Sequence, residues 1–237
     1  MKQVIAMHGW CSDGRDWKPW QKIFKSNGWL WCNAERGYST VTPSEPVWNE
    51  SKTENSLVKR VLITHSLGTH LISRKLLTKA THIVFINSFG RFVPIGKESR
   101  AIKLGLQGML KKLETKQEKD MIRLFWEKAC SPNKINEIKP AILNSFINPE
   151  GIQKLKTDLN LLVKTECLPK TINKKAKALV IDGGKDKIVL PKVKHELLKE
   201  LSEYLYNNPK HWLLKDEGHL IVLKQIIEQT MLWLESS

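Results

Sequence analysis

Lys59-Arg60-Val61-Leu62-Ile63-Thr64-His65-Ser66-Leu67-Gly68-Thr69-His70 is the stretch on which the fold turns. It opens as an apolar, β-branched run, which reads as a buried strand over 59–64. Leu67 to Leu77 follows with the spacing of a helix. Only a sharp reversal fits between the two, so the residues around Ser66 must be small, as Gly68 is. Such a reversal leaves the Ser66 hydroxyl at the carboxyl end of the strand and beside a helix N-terminus. There the helix dipole and backbone amides favour negative charge.

The same alternation extends outward from this stretch. Gln3 to Met7 reads as a strand. Asp13 to Asn27 carries Trp17, Trp20, Ile23 and Phe24 three and four apart, a helical face that starts near Pro19. Trp29 to Cys32 reads as a strand, Glu35 to Asn55 as loop, and Ile83 to Ile86 as a further strand. From Lys97 to Leu168 the rhythm changes to helical spacing without strand-like runs, as in Leu106, Met109, Leu110 and Leu113. Strand Ala178–Ile181, helix Val193–Leu205, strand His211–Leu214 and closing helix Leu220–Leu234 then restore the alternation. Alternating strands and helices, with each strand a continuous apolar run, predict an α/β fold: a doubly wound, mostly parallel sheet buried on both faces. The expected organisation is a single domain built from residues 1–96 and 169–237, with a helical insertion at 97–168.

Composition fits that picture. A chain of 237 residues, 41% hydrophobic and 27% charged, can bury one large core and is neither disordered nor a membrane protein. No run approaches the roughly 20 apolar residues of a membrane-spanning helix. The opening Met1-Lys2-Gln3-Val4-Ile5-Ala6-Met7 runs straight into the turn at His8-Gly9, which leaves no room for a signal peptide, so the expected compartment is the cytoplasm. Cys11, Cys32, Cys130 and Cys167 form no C-x-x-C pair and match no zinc spacing; reduced and mostly buried thiols are expected, with no metal site.

The net charge of +15 favours acidic partners. Between Lys97 and Lys175 stand 17 basic and nine acidic residues, so +8 of that charge lies in one third of the chain. With 32 of the 39 basic residues lysine, a lysine-rich coding background produces the same numbers without any partner. No nucleic-acid-binding motif accompanies the charge, so neither nucleic acid nor a membrane is expected as a partner.

A serine two residues before a glycine, between a buried strand and a helix, resembles the nucleophile elbow of the α/β-hydrolases. The elbow pattern starts with glycine, where this chain has Thr64. Two later segments match in the order serine, acid, histidine. The strand at 178–181 leads into Asp182-Gly183-Gly184-Lys185-Asp186-Lys187-Ile188-Val189-Leu190-Pro191, and the last strand into Asp216-Glu217-Gly218-His219. The resemblance implies Ser66 as nucleophile, Asp186 as acid and His219 as base. Asp182 competes for the acid position but lies close to the strand end. Met7-His8-Gly9-Trp10 resembles the loop that completes the oxyanion hole, which implies donation from the main-chain N–H groups of Trp10 and Leu67, with His8 holding the loop.

Within the superfamily the chain resembles the pimeloyl-[acyl-carrier protein] methyl ester esterases of biotin synthesis. The matching residues are His8-Gly9-Trp10 with Trp17, His65-Ser66-Leu67-Gly68, an all-helical lid between Phe89 and Leu168, Arg123-Leu124-Phe125, and Leu155-Lys156-Thr157-Asp158-Leu159. That resemblance implies a serine carboxylesterase that needs no cofactor and acts, as a monomer, on an acyl chain carried by an acidic carrier protein. Trp10, Lys111, Lys112, Arg123 and Phe125 would contact substrate or carrier. A carboxylesterase without a protein partner, and a non-catalytic binding protein on the same fold, are the alternatives.

Overall fold

The computed structural model describes residues 1–49 and 58–237. Part of the loop expected at 35–55 therefore lies outside the described residues. Among the described residues six strands form one sheet: β1 (Lys2–Met7), β2 (Leu30–Ala34), β3 (Lys59–His65), β4 (His82–Ile86), β5 (Lys177–Gly183) and β6 (Lys210–Leu214). Their order is β2-β1-β3-β4-β5-β6, and every neighbouring pair is parallel. After β1 the chain lays β2 on one side and β3 on the other. The carboxyl ends of β1 and β3 therefore bracket a crevice, the place where open parallel sheets bind ligands.

Both sheet faces are buried, and alternation along each strand divides the core. Ile5, Leu62, Phe85 and Val180 pack on one face against Leu76, Leu77, Leu197 and Leu201. These come from α3 (Arg74–Lys79) and α8 (Pro191–Tyr204). Val4, Ile63, Val84 and Ile181 pack on the other face against Trp20, Phe24, Ile227 and Leu234. Those side chains belong to α1 (Lys18–Ser26) and α9 (Lys224–Ser236). Between β4 and β5 the chain holds α4 (Glu98–Lys112), α5 (Glu118–Cys130), α6 (Ile135–Ile138) and α7 (Pro149–Lys164), with a 3-10 turn at Ala141–Asn144. Leu106, Met121, Trp126, Leu155 and Leu159 of these helices form a third core cluster with Trp10 and Leu67, at the carboxyl end of the sheet.

Three expected helices differ in detail. The segment 13–27 opens with a 3-10 turn at Gly14–Trp17, capped by the Asp13 side chain, and becomes α-helical at Lys18 with Pro19 in its first turn. The helix expected from Leu67 to Leu77 is two: α2 (Gly68–Leu71) and α3, separated by extended Ile72 and Ser73. The reason is packing. Leu67 belongs to the cluster under the insertion, whereas Ile72, Leu76 and Leu77 belong to the sheet face. One straight helix cannot direct its apolar stripe at both. The closing helix starts at Lys224 rather than Leu220, because Leu220 packs toward the insertion and Ile221 toward the sheet.

Candidate active site

The site is built from the ends of β1, β3, β4 and β5 and the loop after β6. Ser66 follows β3 at φ 53°, a left-handed conformation that costs a non-glycine residue of order 1–3 kcal/mol and persists only when its surroundings enforce it. They do so from both sides. The Ser66 N–H donates to the Ile86 carbonyl (2.9 Å), and Ser88 Oγ donates to the Ser66 carbonyl (2.8 Å). Gly68 is obligatory: a Cβ there would stand 2.5 Å from the Met7 carbonyl oxygen and 2.8 Å from that of His8. The loop after β1 thus lies directly against the serine turn. Thr64, where the resemblance anticipates glycine, is fully buried and satisfied. Its Oγ1 is 2.7 Å from Thr69 Oγ1, which in turn is 2.9 Å from Ser88 Oγ.

Asp186 and His219 are paired, with His219 Nδ1 donating to Asp186 Oδ2 at 3.0 Å. The other carboxylate oxygen accepts the N–H groups of Ile188 (2.7 Å) and Val189 (3.1 Å). Burial by itself would raise the Asp186 pKa, but His219 and the Lys194 ammonium outweigh it and hold the carboxyl far below the usual range. Asp182, the competing acid, lies inside β5 and is buried. Its Oδ2 is held by His211 Nε2 of the neighbouring strand at 3.0 Å, and burial raises its pKa.

The loop carrying His219 is fixed from below. Asn87, which follows β4 at φ 42°, donates through Nδ2 to the carbonyls of Gly218 (3.0 Å) and His219 (2.8 Å). Its Oδ1 accepts from the Gly183 N–H and from Lys194 Nζ, each at 2.8 Å. His65 Nε2 also donates to the His219 carbonyl (2.9 Å), and the two rings lie 4.6 Å apart. Burial, followed by the neighbouring His219, pushes His65 down to about 3, so it is neutral across the physiological range. Asn87, Lys194 and His65 have no role that the sequence alone assigns. Two signals were available. Asn87 directly follows an apolar strand, and asparagine is among the few residues that tolerate positive φ. Lys194 lies beside Val193 and three before Leu197, on the buried stripe of α8.

His8 holds the loop before Trp10. Its Nδ1 donates to the Gly9 carbonyl (2.9 Å), and its Nε2 is 3.1 Å from Glu35 Oε1. Burial opposes a charge on the ring, yet the Glu35 carboxylate raises its pKa. Trp10 bridges core and insertion, donating from Nε1 to the Leu155 carbonyl (2.9 Å) and packing edge-on against Phe125. Asp158 lies on α7 and is buried. This buried carboxylate accepts from Arg36 Nε (2.7 Å), Arg36 Nη2 (2.8 Å) and Tyr38 OH (2.6 Å), which ties α7 to the loop after β2.

Above Ser66 lies a cavity of about 420 Å³, walled by Trp10, Phe125, Met109, Leu159 and Ile188. Lys112, Lys128 and Lys187 also reach it, and among the described residues no carboxylate does. Of the residues proposed from sequence, Ser66, Trp10, Lys112 and Phe125 line this cavity. Leu67 is buried behind Ser66. Lys111 is exposed and outside the cavity lining, and Arg123 pairs with Glu127 (3.3 Å) and lines a separate surface groove. Among the described residues no group of histidine, cysteine, aspartate and glutamate side chains is placed to hold a metal ion, and no helix is long and apolar enough to cross a membrane.

No protein-family model matches the chain, and no curated protein does. Solved structures do. An esterase from Exiguobacterium antarcticum superposes with a TM-score of 0.72 at 12% identity, over 99% of this chain and 92% of that one. A bromoperoxidase from Bacillus anthracis gives 0.67 at 16% identity, over 100% and 92%. MenH from S. aureus gives 0.64 at 14% identity, over 99% and 94%. The chain has the α/β-hydrolase fold. At such low identity the likeness is one of backbone, and it extends along the whole chain. In this α/β-hydrolase fold the six parallel strands put the serine turn, the acid loop and the histidine loop at one end of the sheet.

Proposed function

We propose that the chain is a serine esterase of the carboxylesterase type. The observation that carries the reading is Ser66, held at positive φ at the floor of the cavity, on the same sheet end as a buried Asp186–His219 pair. His219 takes the Ser66 hydroxyl proton as the oxygen attacks the ester carbonyl. The main-chain N–H groups of Trp10 and Leu67 stabilise the oxyanion, each contributing on the order of a few kcal/mol. His219 then protonates the departing alcohol, and an acyl-serine remains. Water, deprotonated by His219, releases the acid and frees Ser66. Asp186 orients the imidazole and stabilises its protonated form. The esterases among the structures of like fold support the reaction class.

The substrate we propose is the methyl ester of pimeloyl-[acyl-carrier protein], hydrolysed to the free acid and methanol in biotin synthesis. An apolar cavity reached by three lysines supports an aliphatic acyl group attached to an anionic carrier. The helical lid, with its excess of basic residues, supports an acidic protein partner, and the cytoplasm is the compartment where that partner would be met. Ser66→Ala tests the reaction: it should abolish ester hydrolysis and leave the unfolding transition in place, and near wild-type turnover would exclude Ser66. Lys111 and Arg123, which lie outside the cavity lining, reversed to glutamate test the partner. The apparent KM for the carrier-linked ester should rise while hydrolysis of short p-nitrophenyl esters stays unchanged. Equal effects on both substrates would favour a small-molecule carboxylesterase.

A further inference from the structure

Lys194 is a buried lysine whose ammonium has three acceptors. It donates to Asn87 Oδ1 (2.8 Å), to the Gly183 carbonyl (2.9 Å) and to Asp186 Oδ2 (2.9 Å). Asp182 Oδ1 lies 4.0 Å away. Its position on α8, between Val193 and Leu197 on a stripe that packs into the core, suits an apolar side chain. A charge placed there has left water and must be balanced locally. Asp186 supplies that balance through the oxygen that also receives His219 Nδ1. The acid of the triad is thus divided between two cationic partners, one permanent and one that becomes charged only when His219 takes a proton.

We propose that Lys194 is a positioning residue of the catalytic centre: its ammonium locks the Asp186 carboxylate in place by binding the oxygen that receives His219 Nδ1, so that the pH dependence of Ser66 reactivity depends on the lysine. The inference rests on the serine-hydrolase reading of the same site. Two nitrogens bound to one oxygen lie no more than about 6 Å apart, and two charges at that separation, at an effective dielectric near 20, repel by the equivalent of about two pH units. At an effective dielectric of about 40 the same separation gives about one unit.

The other ionisable groups around His219 come from every element that meets it. His65 at the end of β3 stacks beside it and is neutral above about pH 3. Asp182 on β5 is taken up by His211 on β6. Glu217 precedes it in its own loop, Lys187 reaches the cavity, and Lys185 is paired with Asp216 at the surface. Among these, Lys194 is the cation in direct contact with the triad acid.

The test uses the full chain and a fluorophosphonate that labels a reactive serine, so it needs no knowledge of the substrate. The labelling rate is followed from pH 4 to 9 in the wild type, Lys194→Met and Lys194→Gln, with the fold checked by circular dichroism. Both neutral variants should shift the midpoint of the acidic limb upward by about one to two pH units. An unchanged or lowered midpoint in folded variants would overturn the proposal. Loss of folding in both would assign the lysine to the fold alone and overturn it equally. Absence of labelling in the wild type would instead overturn the hydrolase reading.

Discussion

Replacing Asn87 with alanine should be among the most damaging single changes outside Ser66, Asp186 and His219. The side chain is fully buried and makes four hydrogen bonds, to the carbonyls of Gly218 and His219, the Gly183 N–H and the Lys194 ammonium. Three neutral bonds at about 1 kcal/mol each and one charged bond at about 2 kcal/mol give a loss of roughly 5 kcal/mol. The φ of 42° adds about 1 kcal/mol for alanine, which lacks the polar side chain that makes asparagine tolerable there. A loss of this size is a large fraction of the ~5–15 kcal/mol that holds a typical domain together. Urea unfolding followed by tryptophan fluorescence measures it directly, since the chain has nine tryptophans. At roughly 6 kcal/mol in all, the Tm should fall by about 12–24 °C at the 2–4 °C per kcal/mol expected for this length. Asn87→Gly separates the two contributions: it loses the same four bonds but relieves the backbone, and should recover about 1 kcal/mol. An alanine variant within about 1 kcal/mol of wild type would show that the four contacts are not a cooperative support.

The remaining predictions concern the acid, the pH and the cavity. Asp186→Asn should lower the rate by about 10⁴-fold, because an amide stabilises neither the required tautomer nor the imidazolium; Asp182→Asn, which touches His211 and not His219, should leave most of the rate, and the reverse result in ester hydrolysis would move the acid to Asp182. Burial pushes His65 down to about 3 and His82 down to about 4, so the unfolded chain takes up protons first as pH falls below about 6.5 and stability declines from there toward pH 3. His65 is a half-buried residue, so its share is smaller than the full shift implies, and urea midpoints at pH 8, 6 and 5 should fall in that order, with a shallower decline in His65→Gln. A Cβ at Gly105 or Gly108 on α4 would meet nothing within 4 Å, and both residues border the cavity. Gly105→Leu should therefore keep or raise stability, since glycine costs a helix about 1 kcal/mol, while raising KM for long acyl esters more than for acetates; equal kinetics across a chain-length series would place the acyl group elsewhere.

The sequence by itself determined the layered α/β architecture, because continuous apolar strands separated by helices leave a parallel sheet buried on both faces as the way to hide them. The resemblance of its motifs also pointed to Ser66, Asp186 and His219, each of which follows a strand of the parallel sheet. Tertiary structure alone decided how those loops are held. The break after Leu71 depends on two clusters that meet only in the folded chain. Gly68 is required because the β1 loop crosses it, a contact between segments about 60 residues apart in sequence. Asn87 and Lys194 are ordinary polar residues in the one-dimensional pattern. Burial at the convergence of β4, β5, α8 and the His219 loop turns them into supports of the site, because a buried polar group must find partners and the partners here are parts of the triad loops.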